Sequence, residues 1–203
     1  LNRLFCSIGS IQQDNLRTGR LTNSEQASFQ NCQKDLIEKI KLHINDTAGL
    51  TLSEIKRIAY NLHKKYASIG GLKYIIIDYL QLMSDADVSG DTRAERIGKI
   101  TSALKSLAKE LDIPILLLSQ LSRDLERRPD KRPINADLRE SGAIEQDADV
   151  ILFVYRDEVY NEKSKDIGFA ELIISKQRNG PLDTVRVKFE GKYARFSNCE
   201  QLS

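Results

Sequence analysis

Tyr74-Ile-Ile-Ile-Asp-Tyr79, followed by Leu80, Gln81, Leu82 and Met83, is the stretch whose reading decides the fold. A short β-branched run that follows Gly70 and Gly71 reads as a strand buried on both faces of a parallel sheet. Its single acid, Asp78, then stands at the carboxyl end, where open α/β sheets take their ligands. Downstream, Ile97, Ile100, Leu104, Leu107, Ala108 and Leu111 recur at helical spacing and lead to a second apolar strand with a polar tip, Pro114-Ile-Leu-Leu-Leu-Ser-Gln120. Strand, helix and strand make one crossover unit, expected to be right-handed.

Outward from this unit, helices and strands alternate, which is the pattern of an α/β protein. Residues 1–17 and 23–40 read as amphipathic helices, and Leu42, His43 and Ile44 as a short strand. Thr51 and Glu54 have capping-box spacing for a third helix, with Ile55, Ile58, Ala59, Leu62 and Tyr66 on its apolar face. Residues 84–92 are small and acidic and read as a mobile loop at the ligand edge. From 122 to 140 the hydrophobic pattern fails and Arg123, Arg127, Arg128, Lys131, Arg132 and Arg139 crowd around Pro129 and Pro133, a solvated charged loop. A short helix at 142–147, a buried strand at 150–155, a charged loop at 157–168 and a strand at 169–176 follow. After the turn at 177–181, residues 184–189 pair with 193–196 as a hairpin.

The chain has 203 residues, 40% of them hydrophobic, enough for a sizeable core and expected to form one domain. Charged residues make up 30%, but the net charge is only +2, so any nucleic-acid contact must be local. Cys6, Cys32 and Cys199 lack zinc or disulfide spacing, and no segment approaches the roughly 20 apolar residues of a membrane helix. A soluble cytoplasmic protein with reduced thiols and no membrane partner is expected. The Asn45-Asp46-Thr47 sequon is then a chance match.

An acid and an amide on the tips of two such strands suit a nucleoside triphosphatase. Asp78 would hold magnesium through water, and Gln120 would face the γ-phosphate. Alone, an acid ending a strand is as readily a turn cap. No Gly-x-Ser-x-Gly turn surrounds a serine that could make Ser119 a nucleophile, and neither His43 nor His63 has the partners of a zinc site.

Taken in order, several blocks resemble the bacterial replicative DNA helicases of the DnaB family, in their RecA-like motor domain. They are the stretch from Tyr74 through Met83, Leu116-Leu-Leu-Ser-Gln-Leu-Ser-Arg123, Asp130-Lys-Arg-Pro-Ile-Asn135, Asp137-Leu-Arg-Glu-Ser-Gly-Ala-Ile-Glu-Gln-Asp-Ala-Asp149, Tyr155-Arg-Asp-Glu158 and Lys176-Gln-Arg-Asn-Gly-Pro181. The resemblance covers essentially the whole chain. It implies a P-loop nucleoside-triphosphatase core, a central mostly parallel sheet flanked by helices, with residues 1–40 a helical lead-in and 41–203 the sheet core ending in an antiparallel hairpin. It also implies ATP and Mg2+ at Asp78 and Gln120, and an arginine finger, Arg178, with companion Lys176, reaching into a neighbouring subunit. Arg139, Glu140 and Gly142 match the loop that follows single-stranded DNA, where phosphate contacts position the strand without reading its sequence. The implied partners are single-stranded DNA, further copies in a homohexamer, primase and a helicase loader at the replication fork.

One element of the family pattern is absent. The phosphate-cradling Gly-x-x-x-x-Gly-Lys-Ser/Thr occurs nowhere, and Ile69-Gly-Gly-Leu-Lys73 precedes a strand rather than joining one to a helix. In the family that loop, the water-activating glutamate and some sheet strands lie upstream of the segment matching residue 1. The expectation is a partial motor domain with negligible ATPase activity of its own. The alternatives are a non-catalytic module that docks to a ring or to DNA, and a RecA-type recombinase ATPase.

Overall fold

A computed structural model describes residues 1–138 and 141–199. The chain divides into two compact units, one of residues 1–45, 154–173 and 183–203, the other of residues 46–153 and 174–182.

In the second unit, helix α4 (Leu52–Lys65) starts where the sequence places it. The Thr51 hydroxyl accepts the Glu54 N–H, and the Glu54 carboxylate accepts the Thr51 N–H. Strand β1 (Ile75–Ile77) follows, then the long helix α5 (Arg93–Leu111) and strand β2 (Ile115–Leu117). Thr92 and Glu95 form a further capping box on α5, and Ile97, Ile100, Leu104, Leu107 and Leu111 are its buried stripe. β1 and β2 pair in parallel, Ile75 to Ile115, Ile76 to Leu116 and Ile77 to Leu117.

Burial on both faces does not hold for these strands. Ile76 is 54% exposed and Leu116 58%, while their strand neighbours are half-buried. Strand β3 (Val150–Tyr155) alternates likewise, with Ile151, Phe153 and Tyr155 buried and Val150, Leu152 and Val154 exposed. An unbroken apolar run therefore marks one packed face here, the other being uncovered among the described residues.

The loop at 84–92 is tied to side chains and backbone of α4 and α5. The Arg96 guanidinium donates from Nε to Asp85 Oδ2 at 2.5 Å and from Nη1 to the Gly90 carbonyl at 2.8 Å. Asp87 accepts the Ser53 N–H at 2.9 Å, and Ser89 accepts from Lys99 Nζ at 2.9 Å. These partners lie elsewhere in the sequence, so local composition could not reveal them.

The charged stretch from 122 is built around a carboxylate. Asp137, 6% exposed, accepts Arg128 Nη2 at 2.7 Å and the Ile134 N–H at 2.8 Å, and its carbonyl accepts the Ser122 N–H at 2.7 Å. Lys131 Nζ donates to the carbonyls of Glu126 and Arg128. Arg128 and Lys131 thus hold the loop together instead of standing in solvent. Helix α6 (Ser141–Asp147) packs on α5 where Gly98 lies opposite Ala143: a Cβ on the glycine would sit 3.1 Å from the alanine's.

The other unit opens with α1 (Asn2–Gly9), α2 (Gln13–Thr18) and α3 (Asn23–Glu38). Residues 1–17, read as one helix, are broken at Ser10, whose φ is 53°. Residues 41–47 form no strand: Leu42 and Ile44 are exposed, and no ladder partner is paired with them among the described residues. Strands β4 (Phe169–Gln177), β5 (Asp183–Glu190) and β6 (Arg195–Asn198) extend β3 into a sheet of order β3-β4-β5-β6, with residues of β3 and β4 assigned to both units. β5 and β6 form the expected antiparallel hairpin, Phe189 opposite Phe196. Cys6 and Cys32 are buried, Cys199 half-buried, and all three are free thiols.

Glu25 organises the helical lead-in. Its carboxylate accepts the N–H groups of Thr22 and Gln12 and the Asn15 amide, and these bonds, Thr22 first, hold its pKa at about 2 against an ordinary 4.5. A lowered folded-state pKa contributes stability that is complete above about pH 4.5 and lost as pH falls toward about 2. Circular dichroism across that window should show Glu25→Gln less stable than the parent at neutral pH, with the difference vanishing below about pH 2. Removing the Asp137 carboxylate as Asp137→Ala should cost about 2–4 kcal/mol in urea unfolding, since it strands Arg128 and a backbone N–H.

Candidate functional site

Two parallel strands paired residue for residue must end at the same edge of the sheet. The ladder continues beyond β1 and β2: the Leu118 N–H donates to the Ile77 carbonyl at 2.9 Å, and the Leu80 N–H to the Leu118 carbonyl at 2.9 Å. Asp78 and Gln120, both exposed, therefore emerge at one edge, on neighbouring strands. The peptide joining Asp78 to Tyr79 is cis.

Beyond Tyr79 the backbone closes into a 3-10 turn, Leu80–Leu82. The Gln81 side chain leaves this turn toward the neighbouring strand's tip. Its Nε2 donates to Ser119 Oγ at 3.0 Å and its Oε1 accepts the Gln120 N–H at 3.1 Å. Gln81 belongs to the motif that flagged Asp78, but sequence reasoning gave it no role.

The glycines ahead of β1 do not make a phosphate cradle. The N–H of Gly70 donates to Ala67 and that of Gly71 to Tyr66, at 3.1 and 2.9 Å, so neither is free for an anion. Lys73 Nζ turns back to the Gly70 carbonyl at 3.2 Å, and the His63 ring fills the space beside Gly71. This is a closed turn.

Lys176 and Arg178 come together at the carboxyl end of α6. Lys176 Nζ donates to the Glu145 carbonyl, and Arg178 Nη2 donates to the Gln146 carbonyl at 2.7 Å. Arg178 Nη1 lies 3.2 Å from Asp149 Oδ1, its N–H reaches the Asp149 carbonyl at 3.0 Å, and its side chain is 48% exposed. Lys105 of α5 takes the other oxygen of Asp149. That hydrogen bond, then the charges of Lys105, Arg178 and Lys176, hold the Asp149 carboxyl below the usual carboxylate range. Asp149 is a second residue sequence reasoning missed: an acid just ahead of a strand has no periodic signal.

Gly142 lies in the first turn of α6, exposed, with open space where a Cβ would project. Arg139 and Glu140 lie outside the described residues. The helix whose first turn holds Gly142 is the one whose last carbonyls hold Lys176 and Arg178. Its Asp147 accepts the Thr101 hydroxyl at 2.6 Å, and its Glu145 accepts the Asn135 amide at 2.6 Å.

An exposed carboxylate beside an amide suits a hard cation that keeps waters and phosphate oxygens as its other ligands. Among the described residues no three His, Cys, Asp or Glu side chains converge on a common metal position. None of the described helices is long and apolar enough to cross a membrane.

Comparison with known proteins places these features. The family model described as "DnaB-like helicase C terminal domain" matches residues 1–198. Replicative DNA helicases DnaB of Pasteurella multocida and Haemophilus influenzae are 49% and 48% identical over 200 residues, covering 98% of this chain and 42% of theirs. Replicative DNA helicase DnaC of Bacillus subtilis is 42% identical over 199 residues, 43% of its length. Among solved structures, one described as an ATPase domain superposes with a TM-score of 0.89 at 38% identity, over 98% of this chain and 69% of that one. A DnaB-like replicative helicase, described with its interactions with primase, gives 0.89 at 37% identity, over 98% and 47%. The chain thus spans about two-fifths of the length of the curated relatives it matches. On sequence across nearly its full length and on fold, the chain belongs to the DnaB-like helicase C-terminal domain family.

Proposed function

We propose that this chain is part of the motor of a hexameric, cytoplasmic replicative DNA helicase, in which ATP hydrolysis drives travel along single-stranded DNA and unwinding at the fork. The observation that carries this reading is the shared edge of β1 and β2, which presents Asp78 and Gln120 side by side within a full-length family match. The same match favours a helicase over a recombinase of similar architecture.

In this reading Asp78 would hold magnesium, which would supply neutralising charge to the triphosphate. Gln120 contacts the γ-phosphate from the adjacent strand. Water attacks the γ-phosphorus, the bond to the bridging oxygen breaks, and ADP departs with the electron pair. Arg178 and Lys176 serve the neighbouring subunit, where a guanidinium can grip two phosphate oxygens as charge builds up. Arg178 sits half-exposed at the surface, the position a residue acting in trans requires. Arg139, Glu140 and Gly142 carry the strand contacts, so binding tolerates sequence and weakens with salt. Primase and a helicase loader are the remaining partners.

The closed turn at Gly70 and Gly71 offers the triphosphate no main-chain cradle, and none of the residues given a role here activates the attacking water. The isolated chain should therefore turn over ATP far more slowly than about 1 per second even with DNA present. The full-length helicase should hydrolyse ATP readily, and Arg178→Ala should lower its kcat by about a thousandfold. Mixing Arg178→Ala with Asp78→Asn subunits should restore part of the rate, because some interfaces then pair an intact acid with an intact finger. No recovery on mixing would contradict action in trans, and no turnover in the full-length protein would favour a docking module.

A further inference from the structure

We infer that Gln81 is a positioning residue that ties the two strand tips of the nucleotide edge together and sets the attitude of Gln120; the inference rests on the reading of Asp78 and Gln120 given above. Backbone pairing between β1 and β2 ends with the Leu80 to Leu118 bond. From there residues 79–83 use their own carbonyls inside the turn: the Leu82 N–H donates to Tyr79 and the Met83 N–H to Leu80, at 2.9 and 3.1 Å. The Tyr79 and Leu80 carbonyls are thus taken up inside the turn, and the Gln120 N–H is met by the Gln81 side chain.

The Gln81 carboxamide supplies what that backbone withholds. It is a peptide group on a side chain, with one acceptor and a donor in one plane, and here it accepts the Gln120 N–H and donates to Ser119 Oγ. Two bonds to consecutive residues fix both the height and the rotation of the β2 tip. The exposed Gln120 side chain departs from the Cα bonded to the backbone nitrogen that Gln81 grips. Gln81 is also three residues from Asp78, so a displacement of the acid's turn is passed to the amide's turn through one half-buried side chain.

This arrangement predicts that Gln81 acts on turnover more than on nucleotide affinity. Gln81→Met keeps the length and loses both bonds, whereas Gln81→Glu can accept from the Gln120 N–H and from a rotated Ser119 hydroxyl. In the nucleotide-free full-length helicase, the Gln120 amide should exchange with deuterium about fivefold faster in Gln81→Met, as expected for one lost hydrogen bond, and near the parent rate in Gln81→Glu. The DNA-stimulated kcat should fall about fivefold in Gln81→Met with KM for ATP within about twofold, and recover in part in Gln81→Glu. Unchanged exchange in Gln81→Met overturns the clamp, and faster exchange with unchanged kcat overturns the positioning role. If instead Asp78→Asn and Gln120→Ala leave turnover intact, the reading of the site fails, and the exchange result still judges the clamp alone.

Discussion

Parallel pairing of two short strands is the constraint on which the site depends. β1 and β2 contribute three ladder residues each, yet that register fixes the direction of both and brings one acid and one amide to a common edge. Antiparallel pairing of the same residues would have sent Asp78 and Gln120 to opposite ends. The capped helix α5 makes the parallel arrangement possible by carrying the chain back along the sheet, and its buried stripe anchors the crossover. One face of the strands packs, while Ile76 and Leu116 on the other remain open.

A second centre of organisation lies at the end of α6. Asp149 draws Lys105 and Arg178 to its two oxygens, and the last carbonyls of α6 take up Lys176 and Arg178. Cations at a helix carboxyl end are favoured by its dipole as well as by the nearby acid. The Arg178–Asp149 pair, with both side chains about half-exposed, contributes about 1 kcal/mol or less and is weak enough to exchange for another partner. The first turn of the same helix holds Gly142, at the opposite end from the carbonyls that take Lys176 and Arg178.

Much of this was legible from local pattern. The capping box at Thr51, the stripe along α5, the hairpin and the turn at 177–181 follow from spacings of a few residues, and the polar strand tips pointed to the edge that Asp78 and Gln120 share. What failed depended on partners distant in sequence. An apolar run cannot say whether one face or both are covered, so β1 and β3 were read as more buried than they are. Leu42 and Ile44 have strand composition but pair with no strand among the described residues. The loop from 122 onward reads as solvated, and the one at 84–92 gives no sign of its ties, because Arg96, Asp137 and Arg128 find their partners only in three dimensions. Gln81 and Asp149 escaped for the same reason: they act through residues 38 and 29 positions away, Ser119 and Arg178.

The central claim is that Asp78, Gln120 and a neighbour's Arg178 converge on one triphosphate. A structure of the full-length helicase with Mg2+ and a non-hydrolysable ATP analogue tests it most directly. The account predicts the γ-phosphate at the β1–β2 edge, the cation on the Asp78 side, and Arg178 of the adjacent subunit released from Asp149 and turned to the phosphate. Nucleotide bound away from that edge, or Arg178 still held by Asp149 at every occupied interface, would contradict it.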